Sequence, residues 1–395
     1  MPLNIIGTAL IEGTDSVPYL NEFIKVSPFL AAGSLVKYWS RGVSNIWERN
    51  LHGKVFIVTG ATSQSMGTAV VRKMAELGAQ LIILTRNVDE WVTDWCEDLR
   101  NEAGNQLVYV EQCDISDLLQ VRKFVTGWLD NSPPRRLDGV VIMSGDMEAC
   151  GIPGFSNKTR KSSVDGLELQ MSTNFAGIFH MLDLMQPSFK AQPPDRDVRI
   201  IFTTCFLQSL GDVNVEDPLW QNVPYNKNSL KFFASSKLQM SLCLLELQRR
   251  IFGDVRNRKG PDGVQRTGKN ISFTVVQPGL MRSATLRRII SNGSVFSLIF
   301  LYCIILYPIL WLFVKSGARG AETILCTLMT PELEEVNADE TNSVRYYTEC
   351  KTVKFVRKEF EDLELQKQLY DNTKKQIEEI EKQSAKKRNL SKKKR

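Results

Sequence analysis

From Leu51 onward, apolar runs of four to six residues alternate with longer stretches whose apolar positions recur every three or four residues. The short runs read as strands buried on both faces, and the periodic stretches read as amphipathic helices. Six strands are predicted: Lys54–Thr59, Gln80–Thr85, Gln106–Val110, Leu137–Met143, Val198–Thr204 and Ile271–Gln277. Between them, Val70, Val71, Met74 and Leu77 share one face of a helix beginning at Thr68. A second helix carries Leu167, Leu169, Met171, Phe175, Ile178, Phe179 and Leu182, and a third runs from Leu230 to Arg249. A further helix at Ala321–Met329 precedes a last strand at Val344–Tyr347. Strands and helices in this alternation predict an α/β fold with a Rossmann-type doubly wound parallel sheet, formed as a single domain over residues 51–356.

Three segments break the alternation. Val295–Val314 holds 20 residues without a charge, about 30 Å as a helix and long enough to cross a bilayer. Arg282, Arg287 and Arg288 precede it and Lys315 and Arg319 follow, so residues 293–316 read as a membrane-embedded segment within the domain. Residues 1–50 form an appendage without the basic, apolar and small-residue order of a signal peptide. Within it Val26–Val36 is apolar apart from Ser27 and Ser34 and is followed by Lys37, Tyr38, Trp39 and Arg41. This piece is too short to span, and two readings stand: a membrane-interfacial helix, or a helix packed on the domain surface. Residues 357–395 are charged, with Phe360, Leu363, Leu365, Leu369, Ile377 and Ile380 as a thin apolar stripe. They read as a helix whose stripe could pack on the domain or pair with a partner, with a solvated helix as the default, ending in a disordered basic tail.

Charge narrows the partners. Of the 50 basic residues, against 44 acidic ones, seven fall in the last ten positions, where there is no acid. The body is therefore neutral to within one charge, and no nucleic-acid partner is indicated. The tail instead suits anionic membrane lipids. Eight cysteines without a CxxC pair read as reduced thiols facing the cytosol. Two histidines, His52 and His180, have no companion at metal-ligand spacing, so no metal site is expected.

The first strand runs into Thr59-Gly60, a small polar turn and Gly67 before its helix begins. Strand, glycine turn and helix in this order bring the backbone close to a pyrophosphate, whose charge then faces the free N–H groups of the helix end.

The order Thr59-Gly60…Gly67, Asp114, Asn174-Phe-Ala-Gly177, Ser235-Ser236-Lys237 and Pro278-Gly279 resembles the short-chain dehydrogenase/reductase superfamily. The resemblance runs from about Leu51 to Val356. Asp165–Gln170 is similar to the retinol-dehydrogenase-like members, and the whole chain is similar to an uncharacterised fungal membrane-associated oxidoreductase. The resemblance implies pyrophosphate contacts from Thr59, Gly60, Ser65 and Gly67, adenine contact at Asp114, and nicotinamide-side contacts from Gly145, Lys237, Pro278, Gly279 and Ser283. Arg86, directly after the second strand, points to NADP(H), because a guanidinium pairs with a ribose 2′-phosphate where an NAD site places a carboxylate. The turn is one residue longer than the family's, with Ser65 where the middle glycine is usual.

The chemistry half departs further. The family uses a Tyr four residues before the Lys, a Ser at the end of the fifth strand and an Asn in the preceding helix. Here Lys237 and Asn174 are present, but Phe233 stands at the Tyr position and Cys205 at the Ser position. Phenylalanine has no proton to give. Two readings follow: an NADP(H)-dependent oxidoreductase of a hydrophobic alcohol or carbonyl compound, in which Cys205, Tyr225, Thr204 or water replaces the acid, and a non-catalytic dinucleotide-binding scaffold or sensor at a membrane. The resemblance also places the last strand in the same sheet as the others. A straight pass through the bilayer would separate it from its neighbours, so a kinked or in-plane insertion is expected, with the break at Pro308. It implies a homodimer built on the helices carrying Asn174 and Lys237. Lys392 and Lys393 resemble a dilysine retrieval signal for the cytosolic face of the endoplasmic reticulum. A lipid droplet or a nuclear address would be the alternative.

Overall fold

The computed structural model describes residues 19–62, 66–147, 160–225, 229–256, 270–291, 294–331 and 344–393. An eight-stranded sheet in the order 3-2-1-4-5-6-7-8 organises the chain. Its strands are β1 (Val55–Thr59), β2 (Gln80–Thr85), β3 (Val108–Gln112), β4 (Gly139–Ile142), β5 (Val198–Thr203), β6 (Ile271–Gln277), β7 (Arg345–Thr348) and β8 (Lys351–Val353). β1 to β7 pair in parallel, and β8 returns antiparallel to β7 through Glu349 and Cys350, both with positive φ. Every residue of β1, β4 and β5 is buried, as a sheet covered on both faces requires. The chain reverses between β3 and β4, so a crevice opens at the carboxyl ends of β1 and β4, where ligands of open α/β sheets bind.

Helices α2 (Met66–Glu76), α3 (Glu90–Ala103) and α10 (Gly317–Met329) cover one face, through Val70, Met74, Leu99, Ile324 and Leu328. The other face takes α4 (Leu118–Leu129), α5 (169–184), α6 (Gln186–Ala191), α7 (Ser229–Arg256) and α11 (Leu363–Lys393). Helix α5 runs through Leu169–Met171, a π-helical turn Ser172–Ala176 and Gly177–Leu184. Its close seat needs Gly177, because a Cβ there would lie 1.7 Å from the Ile115 carbonyl oxygen.

Helix α11 differs from the expected solvated helix and disordered tail. Leu369, Tyr370, Ile377 and Ile380 are buried, and the helix continues to Lys393. The Tyr370 ring lies 4.7 Å from that of Phe179 on α5, and Arg250 of α7 pairs with Asp371 at 2.8 Å. Near its end Arg388 pairs with Asp117 and Asp165. Sequence spacing shows a thin stripe but not that two helices offer a groove to receive it. Leu369→Ala is expected to cost about 3 kcal/mol, as for other fully buried leucines, and to lower the midpoint of thermal unfolding; no shift would mean that α11 is not part of the cooperative core.

Two helices stand apart. Helix α1 (Leu20–Ser40) has no buried residue and exposes Phe23, Phe29, Leu30 and Trp39. Helix α9 (Val295–Phe313) has a mean hydropathy of 2.4, is long and apolar enough to cross a membrane, and lies almost wholly on the outside. Residues Leu298–Leu306 of α9 are π-helical, and α-helical bonding resumes at Tyr307, beside Pro308. The irregularity therefore falls just before the proline expected to mark it. Helix α8 (Ala284–Ser291) precedes α9. The excursion leaves the domain at Met281 and returns at Lys315, which bridges back to Met281, so both ends meet on one side of the domain.

Candidate active site

The crevice at the ends of β1, β2 and β4 is a cleft of about 340 Å³ whose wall includes Thr59, Gly60, Arg86, Asp114, Gly145 and Thr173. Its floor depends on glycine. Gly60 has φ +76°, and a Cβ on it would stand 2.5 Å from the Ser144 nitrogen. A Cβ on Gly67 would stand 2.2 Å from the Gly60 carbonyl oxygen, so only glycine lets the start of α2 settle on the turn. Thr59 clamps β1 to β4, with Thr59 Oγ1 3.0 Å from Ser144 Oγ and accepting from the Ser144 N–H at 3.4 Å. Ser65 lies outside the described residues.

At the β2 end, the Arg86 guanidinium lies 3.6 Å from Asp114 and 3.7 Å from Asp146, distances of charge attraction beyond hydrogen bonding. The Asp114 carboxylate accepts from the Ser116 N–H and hydroxyl, which fixes the loop after β3. Asn174, in the π-helical turn of α5, holds the loop after β4 from both sides: its Oδ1 accepts from the Asp146 N–H and its Nδ2 donates to the Asp146 carbonyl, each at 2.8 Å. π-helical turns recur at functional sites because they re-aim a side chain within an otherwise regular helix.

Lys237 is 4% exposed. Its ammonium donates to the carbonyls of Ser144 and Thr203, both at 3.2 Å, and sits 4.8 Å from the Phe202 ring centroid. Burial lowers its pKa from 10.5 to about 8, against a smaller opposing effect from Cys205. Three N–H donors serve two carbonyls, which leaves one for a substrate or cofactor. Gly145 keeps that side open, since a Cβ there would come within 3.2 Å of the Lys237 Nζ. One helical turn earlier, Phe233 is buried but belongs to neither core cluster. Cys205 follows β5, half-buried, and burial raises its thiol pKa despite Lys237. The neighbouring Thr204 hydroxyl donates to Gln208 at 2.8 Å.

The remaining candidates are not among the residues lining this cleft. Tyr225 packs its ring 5.2 Å from Phe232, which in turn meets Trp220, so it belongs to an aromatic cluster under the loop before α7. Pro278 and Gly279 follow β6, where Lys315 donates to the Pro278 carbonyl at 3.1 Å and pairs with Glu349. Ser283 caps α8, accepting from the Leu286 N–H. Asp146 and Ser144 escaped sequence reasoning. Their signal was position alone, on either side of Gly145 at the end of the central strand.

A doubly wound sheet with a glycine turn at its switch point, and a buried lysine beside it, defines a dinucleotide-type oxidoreductase fold. The sequence profile of the short chain dehydrogenases matches residues 54–208, and the chain belongs to this family. Over 392 residues, 99% of this chain and 96% of the other, it is 65% identical to an uncharacterized oxidoreductase of Saccharomyces cerevisiae. It is 26% identical to retinol dehydrogenase 13 of Homo sapiens over 323 residues, 81% of this chain and 85% of that one. Among solved structures, an uncharacterized protein from Mycobacterium paratuberculosis aligns with a TM-score of 0.56 at 19% identity, covering 85% of this chain and 98% of that one, and shares the fold.

Proposed function

We propose that this protein is a membrane-associated, NADP(H)-dependent oxidoreductase that interconverts a hydrophobic alcohol and its carbonyl compound, with Lys237 itself as the proton donor and acceptor. The observation that carries the reading is the buried Lys237 ammonium, its pKa lowered to about 8, directly behind Gly145 of the crevice wall. Bound there, the nicotinamide would supply or take up hydride. Gly60 and Gly67 let the turn pack tightly between the Ser144 backbone and the start of α2, the arrangement that would receive a pyrophosphate, and Gly145 leaves room beside Lys237. In carbonyl reduction Lys237 Nζ gives its proton to the substrate oxygen and recovers one from water; in oxidation it accepts the alcohol proton. Asn174 keeps the Asp146 backbone, and with it the open side of the ammonium, in place. Cys205 is a weak donor whose raised pKa keeps it a thiol.

Arg86 supports the phosphorylated cofactor, because its long contacts to Asp114 and Asp146 leave its donors uncommitted to hydrogen bonds there. Arg86→Ala is expected to weaken NADPH binding roughly 10-fold or more, as loss of a charge-assisted contact does, with little effect on NADH; equal loss for both would remove the 2′-phosphate assignment. The exposed apolar surfaces of α1 and α9 support the membrane seat and a hydrophobic substrate. The relative named retinol dehydrogenase 13 points to the same substrate class. The run of Lys and Arg over residues 386–395 supports a seat on anionic lipid at a cytosolic membrane face.

Phe233 favours a second reading, a dinucleotide-binding scaffold or sensor without turnover. The deciding test is NADPH binding and oxidation by the detergent-solubilised protein with a panel of long-chain aldehydes, ketones and sterol-like carbonyls. Turnover supports the enzyme, binding without turnover supports the scaffold, and absence of binding removes both.

A further inference from the structure

A further cavity lies between α1 and α9. Helices α1 and α9 diverge from a shared base, where the Ser40 hydroxyl donates to the Leu312 carbonyl at 2.7 Å and Lys37 donates to that of Trp311. The groove between them measures about 620 Å³, within the range that holds a ligand. Its lining combines apolar Phe29, Leu30 and Trp311 with the cations Lys37, Arg41, Arg282 and Arg319.

These four cations have no carboxylate partner among the described residues. Lys37 lies 5.0 Å from the Trp311 ring centroid and Arg41 4.5 Å from that of Tyr38, while Arg319 donates to the Ser44 hydroxyl. Arg282 leans over Tyr307 at 5.7 Å and donates to its hydroxyl at 3.4 Å, and its Nε is buried without an acceptor. Partial burial, and after it the charge of Arg282, lowers the pKa of Lys37. Like charges held together beside an apolar slot, with a buried N–H lacking an acceptor, are complementary to one kind of molecule: an anion on an apolar chain.

We infer that the α1–α9 groove is a binding site for one anionic phospholipid, with the phosphate among Lys37, Arg41, Arg282 and Arg319 and an acyl chain along Phe29, Leu30 and Trp311. The inference rests on the proposed membrane seat of α9 and adds a defined headgroup site to it. The site also touches the excursion that begins at Met281. Arg282 N donates to the Lys315 carbonyl at 2.9 Å, so the same residue that meets the phosphate closes the base of α8 and α9. An occupied groove ties α1 to that base. An empty one leaves four cations repelling one another.

The basic end of α11 would also attract anionic lipid, so the test is run on full-length protein carrying Lys392→Gln, Lys393→Gln, Lys394→Gln and Arg395→Gln. Two probes are used: flotation with vesicles of phosphatidylcholine alone or doped with phosphatidylserine, and native mass spectrometry of protein released from the doped vesicles in detergent. The expected result is flotation on both vesicle types, tighter on the doped ones, with one phosphatidylserine retained per chain and not displaced by inorganic phosphate. Arg41→Gln with Arg319→Gln should weaken the preference for doped vesicles about 25-fold, at roughly fivefold per cation, and abolish the retained lipid; circular dichroism serves as the check on folding. Equal affinity for both vesicle types, or a double variant that retains its lipid, overturns the site. Displacement by inorganic phosphate reassigns the groove to a free anion and overturns the lipid. Failure to float on either vesicle type overturns the membrane seat itself.

Discussion

Replacing Lys237 by methionine is expected to lower carbonyl reduction by roughly 10²–10⁴-fold or more, the contribution of a positioned proton donor. Methionine keeps the length and packing of the side chain, so the loss would report chemistry. The pH profile of the unsubstituted protein gives an independent reading. Burial favours the neutral amine and lowers the pKa to about 8, so the ammonium form predominates below pH 8 and is lost as pH rises through it. Reduction, which needs the proton, should be flat below pH 8 and fall about tenfold per pH unit above it. Oxidation, which needs the free amine, should fall on the other side. A reduction profile flat through pH 10, or a methionine variant of normal rate, would remove Lys237 from the proton step.

Phe233→Tyr carries the second large effect. Position 233 lies one helical turn before Lys237 on α7, so a phenol there would share a face with the ammonium, and the positive charge would stabilise the phenolate. Phe233 is buried and outside both core clusters, so the exchange adds a hydroxyl without removing a core contact. Reduction should increase, by up to roughly 10²–10⁴-fold where Lys237 is not already donating, and the break at pH 8 should move to higher pH as tyrosine takes over the donation. Activity present only in the tyrosine variant would mean that the native chain binds a dinucleotide without using it. An unchanged rate would mean that the substrate oxygen does not reach this turn of the helix.

Much of this architecture was legible because a strand buried on both faces leaves an uninterrupted apolar run. β2 and β6 have the limits that their sequences predict, Gln80–Thr85 and Ile271–Gln277. β8 was not legible, since its three residues Lys351, Thr352 and Val353 are all exposed at the sheet edge and have no pattern to follow. α1 was foreshortened for the opposite reason: its apolar residues point outward all around, and no stripe marks a face. In the site, Gly60 and Gly67 could be read from the strand, turn and helix pattern and Gly145 from the family resemblance, and the structure gives each a specific close approach. The aromatic packing of Tyr225 depends on Phe232 and Trp220 converging in space, which no count along the chain reveals. The low pKa of Lys237 likewise comes from burial, which is a property of the folded chain.

Helix α11 has a further consequence. It lies along α5 and α7, the two helices through which the family resemblance implies pairing with a second copy. The chain thus covers that surface with a segment of its own, delivered by a tether at an effective concentration that free partners at micromolar levels do not match. Folding completed within one chain follows no mass action, so dilution should leave its melting temperature unchanged, in contrast to an obligate dimer, whose stability falls with the concentration of its protomers.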